Sequence, residues 1–153
     1  MLDAIDRRII AALQRDGRLS NVDLAEAVGL SPSPCLRRVR ALEEAGVIRG
    51  YRAVLDRAAV GLGLTVFVEI TVAQHSRDHA RDLQETLAAL PDVVACHMVS
   101  GAADFLAEIV VPDLAAYERL LTERLLVLPM IQAVRSNVAL RRIKSDAPLA
   151  LPG

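Results

Sequence analysis

Apolar residues recur at helical spacing through the first third of the chain. Ile5, Ile9, Ala12 and Leu13 form one stripe, with Asp3 placed to cap it. This predicts a helix over 3–15, ended by Asp16 and Gly17. Ser20, with Asp23 three residues on, caps a second short helix whose buried side is Leu24, Ala25 and Val28. Gly29 is positioned to end it in a left-handed conformation. Ser31 then caps a third helix over 31–45. Pro32 falls on its first position and Pro34 in its first turn, where no intrahelical donor is lost. Cys35, Leu36, Val39 and Leu42 are expected to point inward, and Gly46 closes the helix. Residues 47–55 read as a strand or linker.

The pattern then changes period. Over 65–72 it alternates, with Val66, Val68, Ile70 and Val72 on one face and Thr65, Phe67, Glu69 and Thr71 on the other. A helix is expected over 76–90, capped by Ser76, with Ala80, Leu83, Leu87 and Leu90 on one stripe. Strands over 93–100 and 105–111 flank a turn at Gly101-Ala102-Ala103-Asp104 and form a hairpin. Asp113 caps a further helix that buries Leu114, Tyr117, Leu121 and Leu125 and ends before Pro129. A last strand is expected over 131–143. The order β-α-β-β-α-β is the ferredoxin-like pattern. The expected fold is α+β: a winged-type helix-turn-helix of three helices, then a ferredoxin-like domain. Domain boundaries are placed at 1–60 and 61–144, with a Pro/Ala/Leu-rich flexible tail over 145–153.

A short helix, a glycine turn and a capped helix are the parts of a helix-turn-helix, whose second helix enters the major groove of DNA. At 100° per residue, Cys35, Val39 and Leu42 set the core direction of the third helix. Arg37 then points outward, flanked by Ser33, Pro34 and Ala41, with Arg38 and Arg40 at the edges of the exposed face. Arginine holds guanine bidentately or binds phosphate, and serine serves either. Ser33 and Arg37 are expected at base edges, with Pro34 beside them. Arg38 and Arg40 are expected on phosphates, and Ser31 on a phosphate at the helix N-terminus. The competing reading of the same arginines is an ordinary solvated helix face.

Charge supports the DNA reading locally rather than globally. The net charge of −1 argues against indiscriminate polyanion binding. Yet residues 1–60 carry ten arginines against eight acids, and five of those arginines lie between Arg37 and Arg52. Aromatics make up 3% and Trp is absent, so the core is expected to be aliphatic. Cys35 and Cys96 form no paired motif, so neither a zinc site nor a disulfide is expected, and Cys35 falls on a buried stripe. His75 and His79 have i, i+4 spacing but no third ligand nearby. His97 reads as a sheet histidine, and Asp78, Asp82 and Glu85 as a solvated helix face. With no phosphate loop or nucleophile elbow, neither catalytic residues, a cofactor nor a metal is expected. The acidic N-terminus does not read as a signal peptide, and the longest apolar run, over 60–68, is too short for a bilayer. The expected location is the cytoplasm, at the nucleoid, with no membrane contact.

From Leu2 to Lys144 the sequence resembles the Lrp/AsnC, or feast/famine, family of regulators. The resemblance rests on Leu2-Asp3 with Asp6, Asp16-Gly17-Arg18, the run Val28 to Cys35, the run Arg37 to Glu43, and Gly46 to Tyr51. In the second domain it rests on Val66 to Ile70, Cys96 to Gly101, and Asp104 to Leu106. The order and spacing of these pieces together make it specific. The resemblance implies a second domain that senses amino acids, dimers formed through paired sheets, and further assembly, often to octamers. It also implies an effector bound between subunits near the turn joining the second and third strands. On this chain that points to Met98, Ser100, Gly101, Ala102 and Asp104, with Ser136 as a further candidate. Family members commonly carry an acidic residue where this chain has Ala102, which removes one partner for an effector's ammonium group.

Three functions follow for comparison. The leading one is a regulator that binds pseudo-palindromic double-stranded DNA and whose assembly responds to an amino acid. The second is a siroheme-decarboxylase-like enzyme, which shares the two-domain plan but needs catalytic His or Tyr residues. The chain has three His and two Tyr, of which Tyr117 reads as buried. The third is a DNA-organising protein with little effector response, an alternative that the Ala102 departure keeps open.

Overall fold

The computed structural model describes residues 2–73 and 77–152. The chain divides into two compact units, one made of residues 1–54 and 144–153, the other of residues 55–143.

The first unit is built on three helices: α1 (Ala4–Arg15), α2 (Asn21–Val28) and α3 (Pro32–Glu44). Each start and stop has a local cause. Asp3 caps α1 by accepting the amides of Ile5 and Asp6, while the Asp6 carboxylate accepts the Asp3 amide in return. Ser20 accepts the Asp23 amide at the start of α2, and Gly29 ends it at φ 73°. Ser31 occupies the cap position of α3 but accepts no helix amide. One of the two amides a capping hydroxyl seeks, the second and third of the helix, is missing, because Pro34 is the third residue.

Ile9, Ile10, Leu24, Ala25, Val28, Cys35 and Leu42 form the buried core of this unit. Residues 47–55, expected as a strand or linker, run as irregular chain, and no strand forms among the described residues of the unit. The C-terminal segment departs from expectation. Rather than a loose tail, it belongs to this unit. The Leu149 amide donates to Gln14 Oε1 at 2.6 Å, Gln14 Nε2 donates to the Leu149 carbonyl at 3.2 Å, and Leu151 packs against the core. Arg52 adds an ion pair to Asp146 at 3.3 Å.

The second unit follows the β-α-β-β-α-β order: β1 (Leu64–Val72), α4 (Arg77–Ala89), β2 (Val93–Met98), β3 (Phe105–Val111), α5 (Leu114–Leu120) and β4 (Ile131–Val138). The sheet order is β2-β3-β1-β4, and each neighbouring pair is antiparallel. The alternation in β1 is realised: Val66, Val68, Ile70 and Val72 are buried in one cluster with Leu83, Leu87, Tyr117, Leu120 and Leu125 of the helices. Phe67, Glu69 and Thr71 point to the other face.

Two elements end well short of expectation. β4 ends at Val138, which pairs with Val66, and the Ala139 amide makes the last bond, to Thr65 O. α5 gives way at Leu121–Leu125 to a π-helical turn, closed by the Leu126 amide on Leu121 O. That wider turn puts Leu120 and Leu125, five residues apart, into the core. Leu114, expected inside, is exposed. Ser76, expected as a helix cap, and His75 lie outside the described residues.

Candidate functional site

The α3 face is held in place by contacts on either side of it. Asn21, at the start of α2, donates through Nδ2 to the Pro32 carbonyl at 2.8 Å and so fixes the start of α3. Cys35 and Leu42 are buried beneath it. Tyr51 donates to Glu43 Oε1 at 3.0 Å, drawing the following chain back along the helix. Burial first, and then this carboxylate, raise the Tyr51 hydroxyl pKa.

Arg38, expected on a phosphate, is engaged within the protein: its Nη1 reaches Asp3 Oδ2 at 2.6 Å and Asp6 Oδ1 at 2.7 Å, which clamps α3 to α1. The Asp3 carboxyl is held below the usual aspartate range, chiefly by the Asp6 amide and then by Arg38, while the two aspartates raise the guanidinium. The clamp uses an arginine from the middle of α3 and both carboxylates of the α1 capping box.

The rest of the face stands open. Ser33, Leu36, Arg37, Arg40, Ala41 and Glu44 line a shallow groove of about 480 Å³ along α3. Ser33, Arg37 and Arg40 are thus brought together as expected, with Ser31 exposed just before them and Pro34 half-buried at the helix start. Leu36, expected in the core, is 39% exposed and lines the groove. Its wheel position, 100° from Cys35 and 120° from Leu42, was the available signal.

The turn between β2 and β3 is the second candidate region. Met98, Ser100, Gly101 and Ala102 are exposed there, and Gly101 adopts φ 127°, in the region that favours glycine. Asp104 has a structural task. It donates its amide to Ile70 O at 3.0 Å, accepts the Val99 amide at 3.0 Å, and its Oδ2 accepts the Val72 amide at 2.8 Å. Val72 sits where the β1–β4 register shifts, so the carboxylate satisfies an amide that the ladder leaves over. Ser136 is not brought to this turn. It pairs with Val68 in the middle of β4 and shares a short hydrogen bond with the buried Tyr117 hydroxyl. Two strand spacings across and two residues along, it lies about 12 Å from the start of β3.

Among the described residues no cluster of His, Cys, Asp or Glu is arranged to hold a metal, and no helix is long and apolar enough to cross a membrane. The pairing of His75 with His79 lies partly outside the described residues.

Comparison with known proteins places these two units. Residues 2–49 match the family described as winged helix-turn-helix DNA-binding, and residues 65–149 match the Lrp/AsnC ligand binding domain. The chain is 44% identical over 150 residues to the leucine-responsive regulatory protein of Escherichia coli K12, covering 98% of this chain and 92% of that one. Among solved structures it is similar to a transcriptional regulator of Neisseria meningitidis in complex with L-methionine. That match has a TM-score of 0.93 and 36% identity, over 98% of this chain and 97% of the other. It is also similar to an AsnC family transcriptional regulator of Agrobacterium tumefaciens, with a TM-score of 0.90 and 40% identity, over 99% and 97%. The open basic helix on a braced helix-turn-helix, joined to a split β-α-β unit, therefore has a family: the chain belongs to the Lrp/AsnC family of DNA-binding transcription regulators.

Proposed function

We propose that this regulator reads DNA through the open face of α3 and responds to an amino acid through the β2–β3 turn. The observation that carries the DNA half is the groove itself. Ser33, Arg37 and Arg40 are exposed on one face, while Asn21 and Arg38 lock the helix that presents them. In this reading Ser33 and Arg37 meet base edges, with Pro34 in the same first turn. Arg40 meets a phosphate, and the uncapped hydroxyl of Ser31 meets another at the helix N-terminus. Arg38 is withdrawn from the phosphate set because α1 engages it.

The outer sheet face supports assembly of copies. Phe67, 39% exposed, lies on it beside the half-buried Glu69, Thr71 and Leu106. Glu69 is tied to Asn137 at 3.0 Å and approached by Arg135 at 3.7 Å, which leaves Phe67 and Leu106 as the apolar part. We infer that this face pairs with a second copy to form a homodimer, and that dimers assemble further, up to an octamer. The effector sits between subunits at Met98, Ser100, Gly101 and Ala102. Asp104 shapes the turn rather than contacting the effector alone. Ala102 offers no carboxylate, so the ammonium of an amino acid is recognised by carbonyl and hydroxyl oxygens here. By binding one assembly more tightly than another, the effector shifts the population and with it the spacing of paired α3 helices. The protein acts in the cytoplasm, at the nucleoid, as a regulator and not as an enzyme.

Binding to duplexes from upstream of its own and neighbouring genes, with and without each of the twenty amino acids, tests this reading. Binding that one or a few amino acids change, together with a change in sedimentation, supports it. Binding unchanged by any amino acid refutes the sensing half and favours a DNA organiser. Absence of binding, with affinity for a tetrapyrrole instead, refutes the DNA half.

A further inference from the structure

We propose that Leu36 is a specificity residue that reads the 5-methyl group of thymine in the major groove. The proposal rests on the DNA-binding reading above and adds a base to it. Two aliphatic positions of α3, Val39 and Leu42, are half-buried and buried, but Leu36 is 39% exposed. It falls three residues after Ser33 and four before Arg40, so the three share a side of the helix. It also lines the same groove as Arg37.

An exposed leucine set among two free-standing arginines and a serine makes a poor apolar seam between copies of the chain, since the two helices would bring like charges together. In the major groove it has a chemical counterpart. Guanine, cytosine and adenine present only donors and acceptors there, whereas thymine presents a methyl group. The arrangement therefore pairs a cation for guanine or phosphate with an apolar contact for thymine, within about one helical turn of each other.

The test uses the full-length protein and a duplex library with a randomised core. The duplex selected by the wild-type chain is resynthesised with deoxyuridine at one thymine at a time. Uracil keeps the Watson–Crick edge and the O4 acceptor and lacks only the methyl. At one thymine per half-site the substitution should weaken wild-type binding roughly fourfold, the worth of one buried methyl group. It should leave Leu36→Ala binding unchanged, and Leu36→Met should keep the dependence because it keeps an apolar tip. Circular dichroism of each variant checks that α3 is intact. The proposal is overturned if no thymine is sensitive, or if Leu36→Ala is as sensitive as the wild type. In the latter case Leu36 touches sugar or nothing. If the wild type selects no duplex at all, the DNA reading itself fails, which is a different result from binding without methyl dependence.

Discussion

Ile9→Val removes one methylene from the core of the first unit. Ile9 is wholly buried, one of a set of seven buried residues among those described, and none of the second unit's buried residues belongs to that set. The substitution should destabilise the unit by about 1 kcal/mol, from the lost transfer energy and the small cavity left behind. For a unit of this size that lowers its melting temperature by about 5 °C. The two cores are separate, so the second unit should not follow. The sequence supplies a convenient reporter pair. Trp is absent, and the two tyrosines fall one in each unit, Tyr51 in the first and Tyr117, buried, in the second. Near-ultraviolet circular dichroism with calorimetry should show the transition carrying Tyr51 moving down while that carrying Tyr117 stays in place. A single transition that moves as a whole, or an equal shift of both, would refute the two-core account.

Further outcomes follow from particular contacts. Arg38→Ala should lower the melting temperature of the first unit yet leave the salt dependence of DNA binding unchanged. A slope smaller by about 0.9 would instead return Arg38 to the phosphate set. The depressed Asp3 carboxyl means that this clamp contributes stability above the ordinary aspartate pKa and loses it as pH falls below about 4. Acid titration should therefore show the wild type losing its advantage over Asp3→Asn in that range, and a constant difference down to pH 2 would contradict the assignment. Asp104→Ala leaves the Val72 amide without its acceptor and should destabilise the second unit by about 1–3 kcal/mol in urea titration, whereas Asp104→Asn should be milder. Equal effects would argue that the acceptor does not matter. Deleting residues 145–153 should lower the stability of the first unit in thermal scans, and a melting temperature unchanged by the deletion would show the docked segment to be idle.

The order of elements was legible because β1 and the helices alternate or repeat with clean periods, and because Asp3, Ser20 and Gly29 cap where their chemistry requires. Single-element periodicity fails where a residue answers to something distant in sequence. Arg38 looks like one more surface cation on α3 until Asp3 and Asp6, more than thirty residues earlier, are placed beside it. Leu36 has the residue type of a core position, yet its helical angle sets it apart from Cys35 and Leu42. The C-terminal segment has the composition of a tail, and only partners far away in sequence, Gln14 and Arg52, reveal its docking. The π-helical turn shifts the spacing of buried leucines from four to five, which no fixed helical period anticipates. At the β2–β3 turn the sequence did not reveal that Asp104 accepts the Val72 amide or that Ser136 sits with Tyr117.

The central claim is that the outward face of α3 reads DNA, with Arg37 at base edges and Arg40 on the backbone. Its most direct measurement is the affinity of wild type, Arg37→Ala and Arg40→Ala for a selected duplex and a scrambled one, at two salt concentrations. Arg37→Ala should weaken the selected duplex by about 5- to 150-fold, the worth of one bidentate guanine contact, and barely change the scrambled one. Arg40→Ala should weaken both alike and reduce the salt slope by about 0.9. If both variants change the preference between the duplexes equally, or neither alters binding at all, the assignment of this face is wrong.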